Sequence, residues 1–147
     1  MLFRSHQVAM LGELRHAIEA GELVLHYQPK IDFDTDRISG VEALVRWQHP
    51  HLGLLFPDKF IALAEETGLI KPLTHVVLRL ALRQCAEWRR AGMDLSVAVN
   101  ASAINIIDSE FPNEVAALLT ETGVPASQLE LEVTETAVMS EPARAVD

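Results

Sequence analysis

The sequence predicts an α/β fold in which the first two strands form an antiparallel pair and the later strands run parallel, with helices packed outside the sheet. Two observations carry this. Period-two alternation at residues 22–30, 40–47, 94–100 and 128–135 is separated by helical periodicity at 57–67, 72–91 and 111–122, which is the βα alternation of a parallel sheet. Between the first two strands lies only the polar turn 32–37, too short for a crossover and suited to a hairpin.

The elements follow in order. Val8, Leu11, Leu14 and Ile18 recur at helical spacing before Gly21, a C-terminal cap, so residues 7–20 are expected to form a leading amphipathic helix. The first strand alternates Leu23, Leu25 and Tyr27 against Val24, His26 and Gln28 until Pro29. In the turn, Asp32, Asp34 and Asp36 match the first ligands of a calcium loop. The match fails where Arg37 replaces the glycine needed for the bend and Ala43 the bidentate glutamate. His49 and His51 flank a turn with no third metal ligand nearby and are expected to be solvated loop residues. Pro57 opens a short helix that Gly68 closes. Residues 72–91 carry the stripe Leu73, Val77, Leu80, Ala81, Cys85 and Trp88, which places Cys85 in a core. Val115, Leu118 and Leu119 mark the next helix, ended by Gly123 and Pro125, and Ser140 is positioned to cap another.

Composition narrows the function. With 147 residues, 49% of them hydrophobic, the chain can build a true core, and a net charge of -9 excludes a broad basic footprint for a nucleic-acid polymer. An anionic ligand must then be held locally, by an arginine or a metal. Cys85 is the only cysteine, so no intramolecular disulfide forms. No apolar run approaches the ~20 residues that span a bilayer, and the N-terminus lacks a signal-peptide core, so a cytoplasmic location is expected.

The central strand holds the chemistry. Val41, Ala43, Val45 and Trp47 share one face; Glu42, Leu44 and Arg46 share the other. That second face reads either as a solvated surface or as a carboxylate with a guanidinium beyond it. Two later strands also carry an oxygen ligand opposite their apolar side, Asn100 and Glu132. Two carboxylates and an amide suit Mg²⁺ or Mn²⁺ better than zinc. A glutamate pair could also serve as general acid and base in glycoside hydrolysis, but that use leaves Asn100 and Arg46 idle.

Glu42-Ala43-Leu44 and its surroundings resemble the EAL domain, in active members a cyclic di-GMP phosphodiesterase. The likeness runs through Tyr27-Gln28-Pro29-Lys30, Gly40-Val41, Arg46-Trp47-Gln48-His49-Pro50 and Pro57-Asp58-Lys59-Phe60-Ile61. It continues in Ala64-Glu65-Glu66-Thr67-Gly68, Val99-Asn100-Ala101-Ser102 and Glu132-Val133-Thr134-Glu135. The resemblance implies a modified TIM-type (β/α) barrel with an antiparallel first strand. It further implies that Glu42, Asn100 and Glu132 ligate Mg²⁺ or Mn²⁺ at a two-metal site, with Glu42 essential to catalysis. Arg46 would contact substrate phosphate, Gln28 and Leu44 would line the substrate groove, and Glu135 would steady a loop at the metal site. The product would be the linear dinucleotide, and the role bacterial second-messenger signalling.

Family motifs expected beyond Ser140 are not in the sequence, so residues 1–147 are expected to be the N-terminal portion of such a domain: a leading helix, then an incomplete barrel over 22–147 holding about its first four strands. On that reading the chain alone is inactive and self-associates or pairs with the missing C-terminal half, and a longer protein could carry an upstream sensory or cyclase domain. The alternative is a degenerate, non-catalytic module of the same type that binds cyclic di-GMP or a protein.

Overall fold

In a computed structural model, which describes residues 2–133 and the side chains from Val8 onward, the chain opens with helix α1 (Leu2–Ala20). Strands β1 (Leu23–Asp32), β2 (Arg37–His49) and β3 (Gly53–Leu55) follow, then a 3-10 turn (Pro57–Lys59) and helices α2 (Ile61–Thr67) and α3 (Ile70–Arg90). The remainder is β4 (Ser96–Ala101), α4 (Ala103–Ile106), α5 (Phe111–Thr122), a second 3-10 turn (Ala126–Gln128) and β5 (Leu129–Val133). The sheet order is β1-β2-β4-β5, with β1/β2 antiparallel and the next two pairs parallel. The expected α/β class and antiparallel first pair are both present. The strand expected from Gln128 starts one residue later, at Leu129 after the second 3-10 turn, and its expected end at Glu135 and the helix from Ser140 lie outside the described residues.

Local chemistry explains where the elements differ from expectation. The hairpin is longer at its tip, because Asp32 closes it twice: its carbonyl accepts from Asp36 N at 2.7 Å and its Oδ1 from Asp34 N at 2.9 Å. Asp36 takes a left-handed φ of 56°, which aspartate tolerates. These aspartates thus serve the turn. Helix α3 begins two residues before Pro72, whose missing N–H falls in the first turn where no intrahelical partner exists. Strand β3 is a short antiparallel addition to the end of β2, pairing Trp47 with Leu55 and His49 with Gly53.

The core lies between the sheet and α3. From β2 come Val41, Ala43 and Trp47, from β4 Val97, Val99 and Ala101, and from α3 Leu73, Val77, Leu78, Ala81, Leu82 and Cys85. Leu14, Ala17 and Ile18 of α1 are buried with them, whereas Val8 is exposed. His49 corrects the expectation of a solvated loop histidine. It is buried, its Nδ1 accepts from the backbone of His51 and Leu52 at 3.1 Å, and its Nε2 lies 2.7 Å from Glu13 Oε2 on α1. With Nδ1 committed to accepting, Nε2 carries the proton and donates to Glu13. His51 is exposed, as expected. Among the described residues no helix is long and apolar enough to cross a membrane.

Two predictions arise here. Cys85 is fully buried, its Sγ donates to the Leu95 carbonyl at 3.4 Å, and burial pushes its thiol pKa up. Native protein should therefore label with thiol reagents only at the slow rate of local opening and stoichiometrically once denatured; rapid native labelling would contradict the placement. Tyr27, the single tyrosine, stands edge-on to Trp88 with ring centroids 5.0 Å apart. Burial, with smaller contributions from Cys85 and Glu87, pushes its pKa up to about 12. The folded state keeps the proton that the unfolded chain releases near pH ~10, so this contribution to stability is complete below ~10 and lost as pH rises towards 12. Phenolate absorbance should emerge near pH 12 in folded protein and near ~10 in denaturant.

Candidate active site

The face of the sheet opposite the core collects the polar residues that sequence periodicity placed there. Register sets them in rows. Gln28 of β1 pairs with Glu42 of β2, Glu42 with Ala98 of β4, and Ala98 with Glu130 of β5. One step along the parallel strands, Asn100 pairs with Glu132. Asn100 Nδ2 donates to Glu42 Oε2 at 3.1 Å, joining β4 to β2 across the face. Glu132 is held from the far strand: Lys30 Nζ of β1 donates to its Oε1 at 2.7 Å and lies 3.6 Å from Glu130 Oε2. An ion pair between the first and last strands of the order requires the sheet to curve around this face. The hydrogen bond to Glu132 is the main cause that holds the Lys30 pKa above its ordinary value, opposed in part by desolvation.

Beside these residues, where β2 and β4 lead into helices, lies a cleft of about 760 Å³. Leu44 and Asn100 line it from the sheet, and Asp58, Ile61, Glu65 and Ser102 from the surrounding turns and helices. The turn after Asn100 is fixed by a buried polar cluster. Ser102 Oγ donates to Glu65 Oε2 at 2.6 Å and accepts from Ile104 N at 3.2 Å. Asn105 Oδ1 accepts from Ser102 N at 3.1 Å and from Thr74 Oγ1 at 2.9 Å. The end of β4 is thereby tied to both α2 and α3. Arg46 stacks on Phe56, with Cζ 4.6 Å from the ring centroid, and its Nη1 donates to the Val45 carbonyl at 2.9 Å. Its Nε is buried without a hydrogen-bond partner among the described residues.

Gln28, Glu42, Leu44, Arg46, Asn100 and Glu132 thus belong to one face, while Glu135 lies outside the described residues. Glu42 and Asn100 are brought into contact; Glu132 is bonded to Lys30 instead. Two carboxylates and an amide oxygen are hard donors of the kind Mg²⁺ and Mn²⁺ take. Among the described residues, however, no three His, Cys, Asp or Glu side chains converge as a metal cluster. These residues fit a partial ligand set. Lys30, Phe56 and the Glu65–Ser102 pair have no role in the sequence reading. Lys30 was visible there as the inner-face neighbour of Gln28, two residues on, but its partner is 102 positions away.

Comparison with known proteins places the chain in a family. The EAL domain family matches residues 11–146. A cyclic di-GMP phosphodiesterase of Pseudomonas aeruginosa is 44% identical over 131 residues, covering 88% of this chain and 22% of that protein. An uncharacterized protein of Mycobacterium tuberculosis is 46% identical over 135 residues, covering 90% of this chain and 44% of the other. Among solved structures, the PaMucR phosphodiesterase in complex with c-di-GMP superposes with a TM-score of 0.85 at 40% identity, covering 93% of this chain and 56% of that one. The Xanthomonas citri FimX EAL domain with c-diGMP gives 0.83 at 25% identity, covering 98% and 56%. The chain therefore spans less than half the length of these two curated relatives and about half of the matched structures. Shared in sequence over almost its whole length and in fold with solved EAL domains, this chain belongs to the EAL domain family.

Proposed function

We propose that the protein hydrolyses cyclic di-GMP to the linear dinucleotide, with this chain supplying Glu42, Asn100 and Glu132 as ligands for Mg²⁺ or Mn²⁺. The observation that carries the proposal is the Glu42–Asn100 contact on the inner face, one register step from Glu132 and beside a cleft of about 760 Å³. It occurs in a chain 44% identical to a protein named for that reaction.

Each residue has a task its chemistry suits. Arg46 carries a planar guanidinium of the kind that suits a phosphodiester, and its stacking on Phe56 limits its rotation. Leu44 lines the cleft, and Gln28, directly opposite Glu42, is the β1 residue assigned to the dinucleotide groove. Glu135, outside the described residues, takes the loop-steadying role that the resemblance to EAL domains implies. Asn100 orients Glu42 by donating to one of its oxygens, and the Glu65–Ser102 bond holds the strand end from which Asn100 projects. A bound divalent cation supplies a water of lowered pKa and neutralises charge on the phosphate. Residues 1–147 alone are expected to bind weakly and not turn over, because no three His, Cys, Asp or Glu side chains converge among the described residues.

A second reading, a non-catalytic module that binds cyclic di-GMP, is favoured by that same sparse set of acidic ligands. Incubating a chain extended to the full length of the matched EAL domains with cyclic di-GMP and Mn²⁺ or Mg²⁺ separates the two. Linear dinucleotide that disappears on chelation supports the enzyme; dinucleotide binding without product under either metal supports the module.

A further inference from the structure

Lys30 is the one cation among the described residues that reaches across the inner face, and the route it takes is open for a definable reason. In its register row β2 contributes Gly40 and β4 contributes Ser96. A Cβ at Gly40 would lie 2.3 Å from Ser96 Oγ and 2.7 Å from the Ser96 carbonyl oxygen, so the two strands approach too closely there for any side chain on β2. Within that row, the side chains that β2 and β4 place beside Lys30 are no larger than the Ser96 hydroxyl. Its ammonium meets Glu132 from the end of the sheet where the parallel strands begin, whereas Asn100 and the cleft lie towards the end where they finish. Oε1 of Glu132 is taken at 2.7 Å, and no donor among the described residues is bonded to Oε2.

We propose that Lys30 is a positioning residue for Glu132: it fixes one carboxylate oxygen from below and leaves the other directed to the Asn100 side, ready to serve as a ligand. This rests on the assignment of Glu132 as a metal ligand made above. Partners that anchor ligating carboxylates typically change metal affinity 10- to 100-fold when removed, whereas a half-exposed ion pair of purely structural use contributes little.

The test uses Mn²⁺ alone as probe, titrated calorimetrically into the metal-free chain extended to the full length of the matched EAL domains, with thermal melts confirming that each variant folds. Lys30→Met is expected to weaken Mn²⁺ binding about 10- to 100-fold, and Lys30→Arg, which keeps a donor, to restore most of it. Unchanged or tighter binding in Lys30→Met overturns the inference, the second outcome marking Lys30 as a competitor of the ion. Glu42→Ala serves as reference. If it abolishes Mn²⁺ binding while Lys30→Met leaves it intact, the ligand assignment stands and only the positioning role fails. If wild type and Glu42→Ala bind Mn²⁺ alike, or neither binds it, the ligand assignment fails and the inference with it.

Discussion

In a chain extended to the full length of the matched EAL domains, Glu42→Ala is expected to lower turnover of cyclic di-GMP by about a thousandfold or more, equivalent to ~4 kcal/mol of transition-state stabilisation. The size follows from what is removed. Glu42 is the carboxylate to which Asn100 donates, so its loss takes away a charged ligand and releases the amide beside it. The fold should be little affected, because the side chain is half-buried on the open inner face rather than in the core. Glu42→Gln refines the test, since it retains an acceptor for Asn100 but no charge, and it should be almost as inactive. Arg46→Ala should instead raise KM more than it lowers kcat, the pattern of lost substrate binding. Steady-state kinetics with a melting curve for each variant read all three. A Glu42→Ala enzyme within tenfold of wild type would refute the role assigned to this carboxylate.

Trp47→Ala should cost about 3–5 kcal/mol of stability, the range for emptying a buried aromatic site. Trp47 is fully buried, edge-on to Phe60 at 5.8 Å and tilted against His49 at 5.0 Å. Its Nε1 also donates to Glu22 Oε1 at 3.1 Å, which fixes the segment between α1 and β1 to the end of β2. Trp47→Phe keeps most of the ring and loses that donor, so its cost should fall to about 1–3 kcal/mol. Urea unfolding at constant m-value measures both. Equal losses for the two variants would mean that the hydrogen bond, and not the packed ring, dominates at this position.

What could be read from the sequence was whatever depended on neighbours along the chain. Alternation sorted Glu42, Leu44 and Arg46 from Val41, Ala43 and Trp47 correctly, and the brevity of the 32–37 turn gave the antiparallel pair. The misses have a common cause in distant contacts. His49, in a turn with no third metal ligand nearby, reads as a solvated loop residue, yet it is buried and lies against Glu13, 36 positions earlier. Strand β3 is only three residues long, too short for a period to register, and exists because β2 offers it an edge. Pro72 looked like a helix start and lies just inside one. At the site, residue types and faces were legible, but the choice of Lys30 rather than Asn100 as the bonded partner of Glu132 was not. That choice depends on the curvature of the sheet, which no local spacing encodes.

The mixed sheet also imposes an order on how the molecule can assemble. Pairing β1 with β2 brings together residues such as Asp32 and Arg37 that are already close in the chain, and the ladder can then lengthen one rung at a time. Pairing β2 with β4 must bring Gly40 to Ser96, which closes a loop containing β3, α2 and α3 before any rung rewards it. The hairpin can form from neighbouring contacts alone, and the parallel ladder has to wait for the intervening helices. Asn100 therefore reaches Glu42 only at that later step, so the two halves of the pair come together as a product of the slow, long-range part of folding.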